Sequence, residues 1–189
     1  MKPSHMNRHT QAGASLIEVL VAILILSFGM LSLGAMLSFT VQLPKLSGYR
    51  ATAANLASSH IERMRANPGA PGFSNGDYDQ LSSYDGTFNA IVAPAECTYP
   101  NCNAASLATM DNAYTQQAVR NELPAGGIFM RRDSSSGTVS TTVGNLWIVW
   151  KEPSTYAALN PASSDNCPIE VTSVVSNPAP RCLYVRFKL

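Results

Sequence analysis

Residues 13–43 read GASLIEVLVAILILSFGMLSLGAMLSFTVQL, and from Ala14 to Leu43 they carry one charge, Glu18. Between Val19 and Phe39 the apolar run is interrupted only by Ser27, Gly29, Ser32, Gly34 and Ser38. A helix of that length spans roughly 30 Å, the thickness of a bilayer core. The preceding residues 1–13, MKPSHMNRHTQAG, are polar and contain Lys2 and Arg8 but no acid. Basic residues ahead of a single span predict a cytoplasmic N-terminus and an exported remainder. A cleaved secretory signal has a shorter apolar core and ends at a small-x-small site. A plain anchor fits the length but gives no reason for Glu18, because a carboxylate within a membrane helix costs about 2.5–3.5 kcal/mol at its centre.

The apolar run leads into a second helical pattern. Leu46, Tyr49, Ala53, Leu56, His60 or Ile61, and Met64 recur at steps of three and four, so this half is amphipathic and lies on an apolar surface. Pro44 should kink the helix, and Asn67-Pro68-Gly69 ends it. The sequence therefore divides into a leader, 1–13, a long helix, 14–67, and a globular head, 68–189.

Of the 189 residues, 1–67 hold six basic and two acidic side chains, and 68–189 hold seven basic and ten acidic. A mildly acidic head argues against nucleic-acid capture, which calls for a basic stripe. The three histidines are His5, His9 and His60, and there is no phosphate loop or nucleophile elbow. The chain reads as a non-enzyme without cofactor or metal. His60, on the packing stripe, reads as a partly buried helix residue.

In the head, residues 68–86 (PGAPGFSNGDYDQLSSYDG) read as a loop. Asp77, Asp79 and Asp85 lack the ligand spacing of a calcium loop and read as a solvated turn. A helix is expected over Asn103–Glu122, capped by Asn103, with Leu107, Met110, Tyr114 and Ala118 on one face. Strands are expected at Ile128–Arg132, Thr138–Val143, Leu146–Lys151, Ile169–Val175 and Leu183–Leu189, with a hairpin turn at Ser134–Gly137. Trp147 and Trp150 are three apart, so a strand points them to opposite faces, one to the core and one to the surface. The fold class expected is α+β, a long N-terminal helix with its apolar half protruding, packed on an antiparallel sheet. Cys97, Cys102, Cys167 and Cys182 all lie in the exported part, where disulfides are the default. Three pairings are possible; Cys97–Cys102 with Cys167–Cys182 closes short local loops and is favoured. A tetrathiolate zinc site needs C-x-x-C pairs, which are absent.

The order basic leader, Gly13, Ala14-Ser15-Leu16-Ile17-Glu18, then apolar helix resembles the class III signal of type IV prepilins. That resemblance implies cleavage between Gly13 and Ala14 by prepilin peptidase and methylation of the Ala14 amine. The family favours an aromatic residue or methionine after the cut, so Ala14 departs from its pattern; Met6 is an alternative start. The resemblance also implies that Glu18, fifth in the mature chain, pairs with the amino terminus of a neighbouring subunit during assembly. Asn55–Ala57, Ile61–Pro68, Leu123–Gly127 and Trp147–Trp150 are similar to the type IV pilus modification proteins, the PilV family of minor pilins. This implies an inner-membrane subunit with a periplasmic head that joins other minor pilins and the major pilin to prime assembly and stand at the pilus tip. A pseudopilin of a type II secretion system shares the same signal. A membrane-anchored adhesin would keep its leader, and a DNA-capturing pilin would carry a basic head.

Overall fold

The computed structural model describes residues 13, 15–67, 71–81, 84–92, 96–98, 100–135, 137–152, 165–175 and 178–189, with the backbone alone at Phe39 and Pro71. The leader, Met6 and Ala14 lie outside the described residues. Helix α1, Leu16–Ala66, runs through Pro44 without interruption. The other elements are α2 (Pro71–Asn75), α3 (Ala104–Glu122), β1 (Gly127–Ser135), β2 (Thr138–Trp150), α4 (Ile169–Thr172) and β3 (Arg181–Lys188). The arrangement is α+β and pilin-like: a long N-terminal apolar helix and a three-stranded antiparallel sheet, ordered β1-β2-β3. Two compact units divide the chain, Met1–Leu46 and Ser47–Leu189.

In the first unit the described large apolar side chains from Leu16 to Leu43 are all exposed, none by less than 46%. The segment is long and apolar enough to cross a membrane. Its hydroxyls do not stay bare: Ser27, Ser32 and Thr40 donate to the carbonyls of Ile23, Gly29 and Met36 at 2.7–2.9 Å. Such back-bonding removes the cost of an unsatisfied donor in hydrocarbon.

In the second unit the sheet alternates sides residue by residue. Ile128, Met130, Leu146, Ile148, Trp150 and Phe187 face one cluster, which α1 enters with Ala53, Leu56, Ala57, Ile61 and Met64 and α3 with Ala108 and Val119. Phe129, Trp147, Val149 and Cys182 face a second, smaller cluster closed by Tyr84 and Val171. Both tryptophans are therefore buried, Trp150 at 0% and Trp147 at 5% exposure, and the expectation that one is a surface residue is corrected. The opposite-face geometry holds; the second face is simply covered as well. The free edge of β1 is also covered, since Gln80 exchanges backbone hydrogen bonds of 2.8 and 3.1 Å with Met130.

Four further expectations are corrected. Thr138–Val143 and Leu146–Lys151 are one strand, because Gly144 and Asn145 stay paired with Phe187 and Arg186. A side chain at 144 would meet the Phe187 ring at 2.6 Å, so the glycine serves strand packing rather than a turn. Ile169–Val175 is not a strand: α4 starts after Pro168 and seats only Val171, leaving Ile169 76% exposed. Its β-branched residues have no neighbouring strand to pair with, so local propensity yields to tertiary context. Helix α3 is capped by Asn103, whose side chain accepts from the Ser106 N–H, but its buried face is Ala108, Asp111, Asn112, Thr115 and Val119. Leu107, Met110, Tyr114 and Ala118 are only half-buried. The polar face turns inward because Asp111, Thr115 and the Asn112 amide N–H meet partners there, although the buried Asn112 Oδ1 accepts no hydrogen bond. Part of the 68–86 loop is the short helix α2.

Candidate processing and assembly site

Helix α1 starts at Leu16, three positions beyond Gly13. The Ser15 carbonyl accepts from the N–H groups of Glu18 (2.9 Å) and Val19 (3.2 Å), so Ser15 is the last residue before the regular turns. Gly13 is exposed, as a peptidase substrate must be, and the Ala14 half of the expected scissile bond lies outside the described residues. Glu18 falls in the first turn, where a carboxylate is favoured by the helix dipole. It is exposed and has no ion-pair partner among the described residues. A lone carboxylate next to a run of exposed leucine, isoleucine and valine is the chemical feature of this end. It offers one negative charge at a fixed level of a greasy helix.

The other residues singled out in the sequence are engaged within the head. His60 is fully buried rather than partly so, with Nδ1 2.8 Å from the Thr115 hydroxyl and its ring edge-on to Tyr78. Burial first, then the charge of Arg63, pushes its pKa down to about 4. Asp79 takes the Arg132 side chain at 3.1 Å and its backbone N–H at 2.9 Å. Asp85 takes Arg120 at 2.7 Å and both donors of Thr87. Partial burial works to raise the Asp85 pKa, but the Thr87 donors and Arg120 hold it below the usual carboxylate range. Asp77 contributes its carbonyl to Asn112. Cys97 is bonded to Cys102 and Cys167 to Cys182. Trp147 donates to the Asn166 carbonyl at 2.7 Å and Trp150 to Glu152 at 3.1 Å.

Sequence reading missed two arginine-centred clusters. Arg120, with its side chain 3% exposed, bonds the Gly126 carbonyl, the Thr87 hydroxyl, the Asn89 carbonyl and Asp85. Arg181, 2% exposed, pairs with Glu152 (3.5 Å) and Asp165 (3.1 Å); Asp165 also takes Arg50 of α1 at 3.0 Å and the Cys182 N–H at 3.1 Å. One signal was available: Asp165 and Arg181 flank Cys167 and Cys182, so any local disulfide brings the opposite charges together.

Residues 8–34 match the family model described as the Prokaryotic N-terminal methylation motif. The matched stretch contains Gly13, Ala14 and Glu18 and the apolar run as far as Gly34, and it supports a type IV pilin-like or pseudopilin protein anchored in a membrane. No curated protein and no solved structure matches the chain.

Proposed function

We propose that this chain is a minor pilin of a type IV pilus, of the PilV type. Prepilin peptidase cuts between Gly13 and Ala14 and methylates the new amine. The apolar half of α1 then holds the subunit in the inner membrane with its head in the periplasm. From there it joins other minor pilins and the major pilin, primes assembly and stands at the tip. The role is structural and involves no turnover. The observation that carries this reading is the methylation motif at residues 8–34, followed by a helix with one unpartnered carboxylate and exposed apolar side chains. Such a helix needs lipid or other helices around it, and Glu18 needs a cation. The resemblance supplies that cation, the amino terminus of a neighbouring mature subunit.

Intact-mass measurement of membrane-extracted protein should find a chain beginning at Ala14, heavier by one methyl group. A chain that retains its leader removes the proposal. Glu18→Ala and Glu18→Gln should leave cleavage and insertion unchanged but reduce surface pili and the recovery of other minor pilins. Normal piliation and recovery in both variants would deny Glu18 its role in assembly. Deletion that abolishes protein secretion and spares pili would favour the pseudopilin reading.

A further inference from the structure

In an antiparallel pair the ladder bonds go to alternate residues, so every second residue of an edge strand turns its backbone N–H and C=O away from the sheet. The Leu189 N–H donates to the Thr142 carbonyl at 2.8 Å, in register with the β2–β3 pairs, so Phe187, Val185, Leu183 and Arg181 bond to β2. Cys182, Tyr184, Arg186 and Lys188 therefore turn their backbone groups outward. Both ends of the strand agree: the Cys182 N–H donates to Asp165 at 3.1 Å, and the Lys188 carbonyl accepts from Arg65 at 3.3 Å. At the opposite edge of the sheet, the outward groups of β1 are occupied, Met130 by Gln80 and the Arg132 N–H by Asp79 at 2.9 Å. β3 has no such cover between its ends. The Cys182 carbonyl, both backbone groups of Tyr184 and of Arg186, and the Lys188 N–H have no hydrogen-bond partner among the described residues. Tyr184, Arg186 and Lys188 are exposed. On α1, Ala54 and Ser58 share the side that carries Arg50 and Arg65 and are exposed too, so the helix does not close over this edge. A row of unpaired backbone groups on an edge strand is a template for another strand.

The side chains beside the edge say what kind of strand fits. Leu183 and Val185 are half-buried at the margin of the first apolar cluster, so an incoming segment needs apolar side chains on that face. Tyr184, Arg186 and Lys188 stand on the other face. Arg186 is held by Asp133, and Arg50 and Arg65 near the ends of the edge are held by Asp165 and Glu62. Lys188 is exposed and has no ion-pair partner among the described residues, so an acid facing it gains a cation. A second copy of β3 is a poor match, because it sets Arg186 and Lys188 beside the same cations.

We infer that the open edge of β3, from Cys182 to Lys188, takes up an extended segment of a partner protein in which apolar and acidic residues alternate, adding it to the sheet through main-chain hydrogen bonds. The edge is there whether or not the chain enters a pilus, so this contact and the pilin reading fail separately.

The probe is a short synthetic peptide of alternating valine and glutamate, added to the full-length protein in detergent while amide hydrogen exchange is followed residue by residue. Without peptide, Tyr184 and Arg186 should exchange quickly, and Leu183, Val185 and Phe187, bonded to β2, slowly. Peptide should slow Tyr184 and Arg186 and leave the others as they were. The same peptide N-methylated throughout keeps its side chains but donates no backbone hydrogen bond, and should give no protection. A valine–lysine peptide should bind about tenfold less tightly, and Lys188→Glu should reverse that preference. Arg186→Pro removes an outward N–H without touching the bonds to β2 and should weaken binding about tenfold, whereas Arg186→Ala keeps that N–H and should not. If Arg186→Pro fails to fold, the methylated peptide on the unaltered protein still decides. No protection at Tyr184 and Arg186, or equal protection by the methylated peptide, overturns the proposal. Slow exchange at these residues in the dilute free protein does the same. Protection that grows with protein concentration alone assigns the edge to a second copy and equally overturns the acidic partner.

Discussion

His60 has no room for a second proton. The Thr115 hydroxyl donates to the Asp111 carbonyl at 2.8 Å, which leaves its lone pairs for the His60 Nδ1–H. Nε2 is buried and finds no partner, and Arg63 is nearby. The folded-state pKa of about 4 lies below the unfolded 6.5, so folding favours the neutral ring. Its contribution is fully present above 6.5 and is lost progressively as the pH falls through 4, on the order of 3 kcal/mol in total. Chemical denaturation of the full chain in detergent at pH 7 and pH 4 should show that loss, and His60→Asn should flatten the dependence in this window. Arg120 is a second single residue with wide reach. Arg120→Lys keeps the charge but cannot span four acceptors, and each buried acceptor left bare costs about 1–3 kcal/mol. Amide hydrogen exchange at residues 87–92 should accelerate. These two residues were hard to read beforehand because a buried polar side chain has the same letters as an exposed one. Only its partners, most of them 31 to 55 positions away in the chain, reveal the difference.

At the scale of elements, the α3–β1 connection is closely packed. Leu123 closes the helix, Ala125 takes a positive φ of 46°, and the Lys151 N–H reaches the Pro124 carbonyl at 2.8 Å. A Cβ on Gly126 would stand 2.2 Å from the Val119 carbonyl oxygen, which is backbone and cannot turn aside. Gly126→Ala should therefore cost about 1–3 kcal/mol or more, seen as a lowered denaturation midpoint at unchanged slope. Long periodic elements were legible in the sequence. The stripe Ala53, Leu56, Ile61, Met64 is buried as its spacing implies, and alternation along Leu183–Leu189 marks β3. Elements whose pattern was short or mixed were not. IEVTSVV has strand residues, but only Val171 is buried in a core, with Val175 packed beside it, and α3 hides its polar face because Tyr78, His60 and Asp77 supply partners. At the candidate processing site the motif itself was readable, since spacing between a glycine, a glutamate and an apolar run is local information.

The head as a whole is fastened at one place by two kinds of bond. The Cys167–Cys182 bridge, with a separation of 15 residues, holds Asp165 beside Arg181 while Asp165 also takes Arg50 from α1. Replacing both cysteines by serine should lower stability by about 3 kcal/mol in the loop-entropy account. Asp165→Ala should cost about 3–5 kcal/mol, because it removes a nearly dry carboxylate from two guanidinium groups. The two changes should not add, since they loosen the same joint. Denaturation of the single and combined variants, followed by the fluorescence of Trp147 and Trp150, measures that coupling.

The position of β3 in the element order has a further consequence, which concerns time. β1 and β2 form a local hairpin, but β2 waits for a strand that begins 31 positions after Trp150. That strand brings Phe187 to one core, Cys182 to the other and Arg181 to the buried ion cluster. Non-local pairing of this sort is slow to form. On the proposed reading, in which the head is exported, the head lacks its final strand while the polypeptide is being threaded across the membrane. On that reading its hardening is deferred until residues 181–188 have emerged into the compartment where thiols can be oxidised. A chain cut after Pro180 should accordingly remain protease-sensitive with Cys167 free, however completely its earlier residues have been delivered.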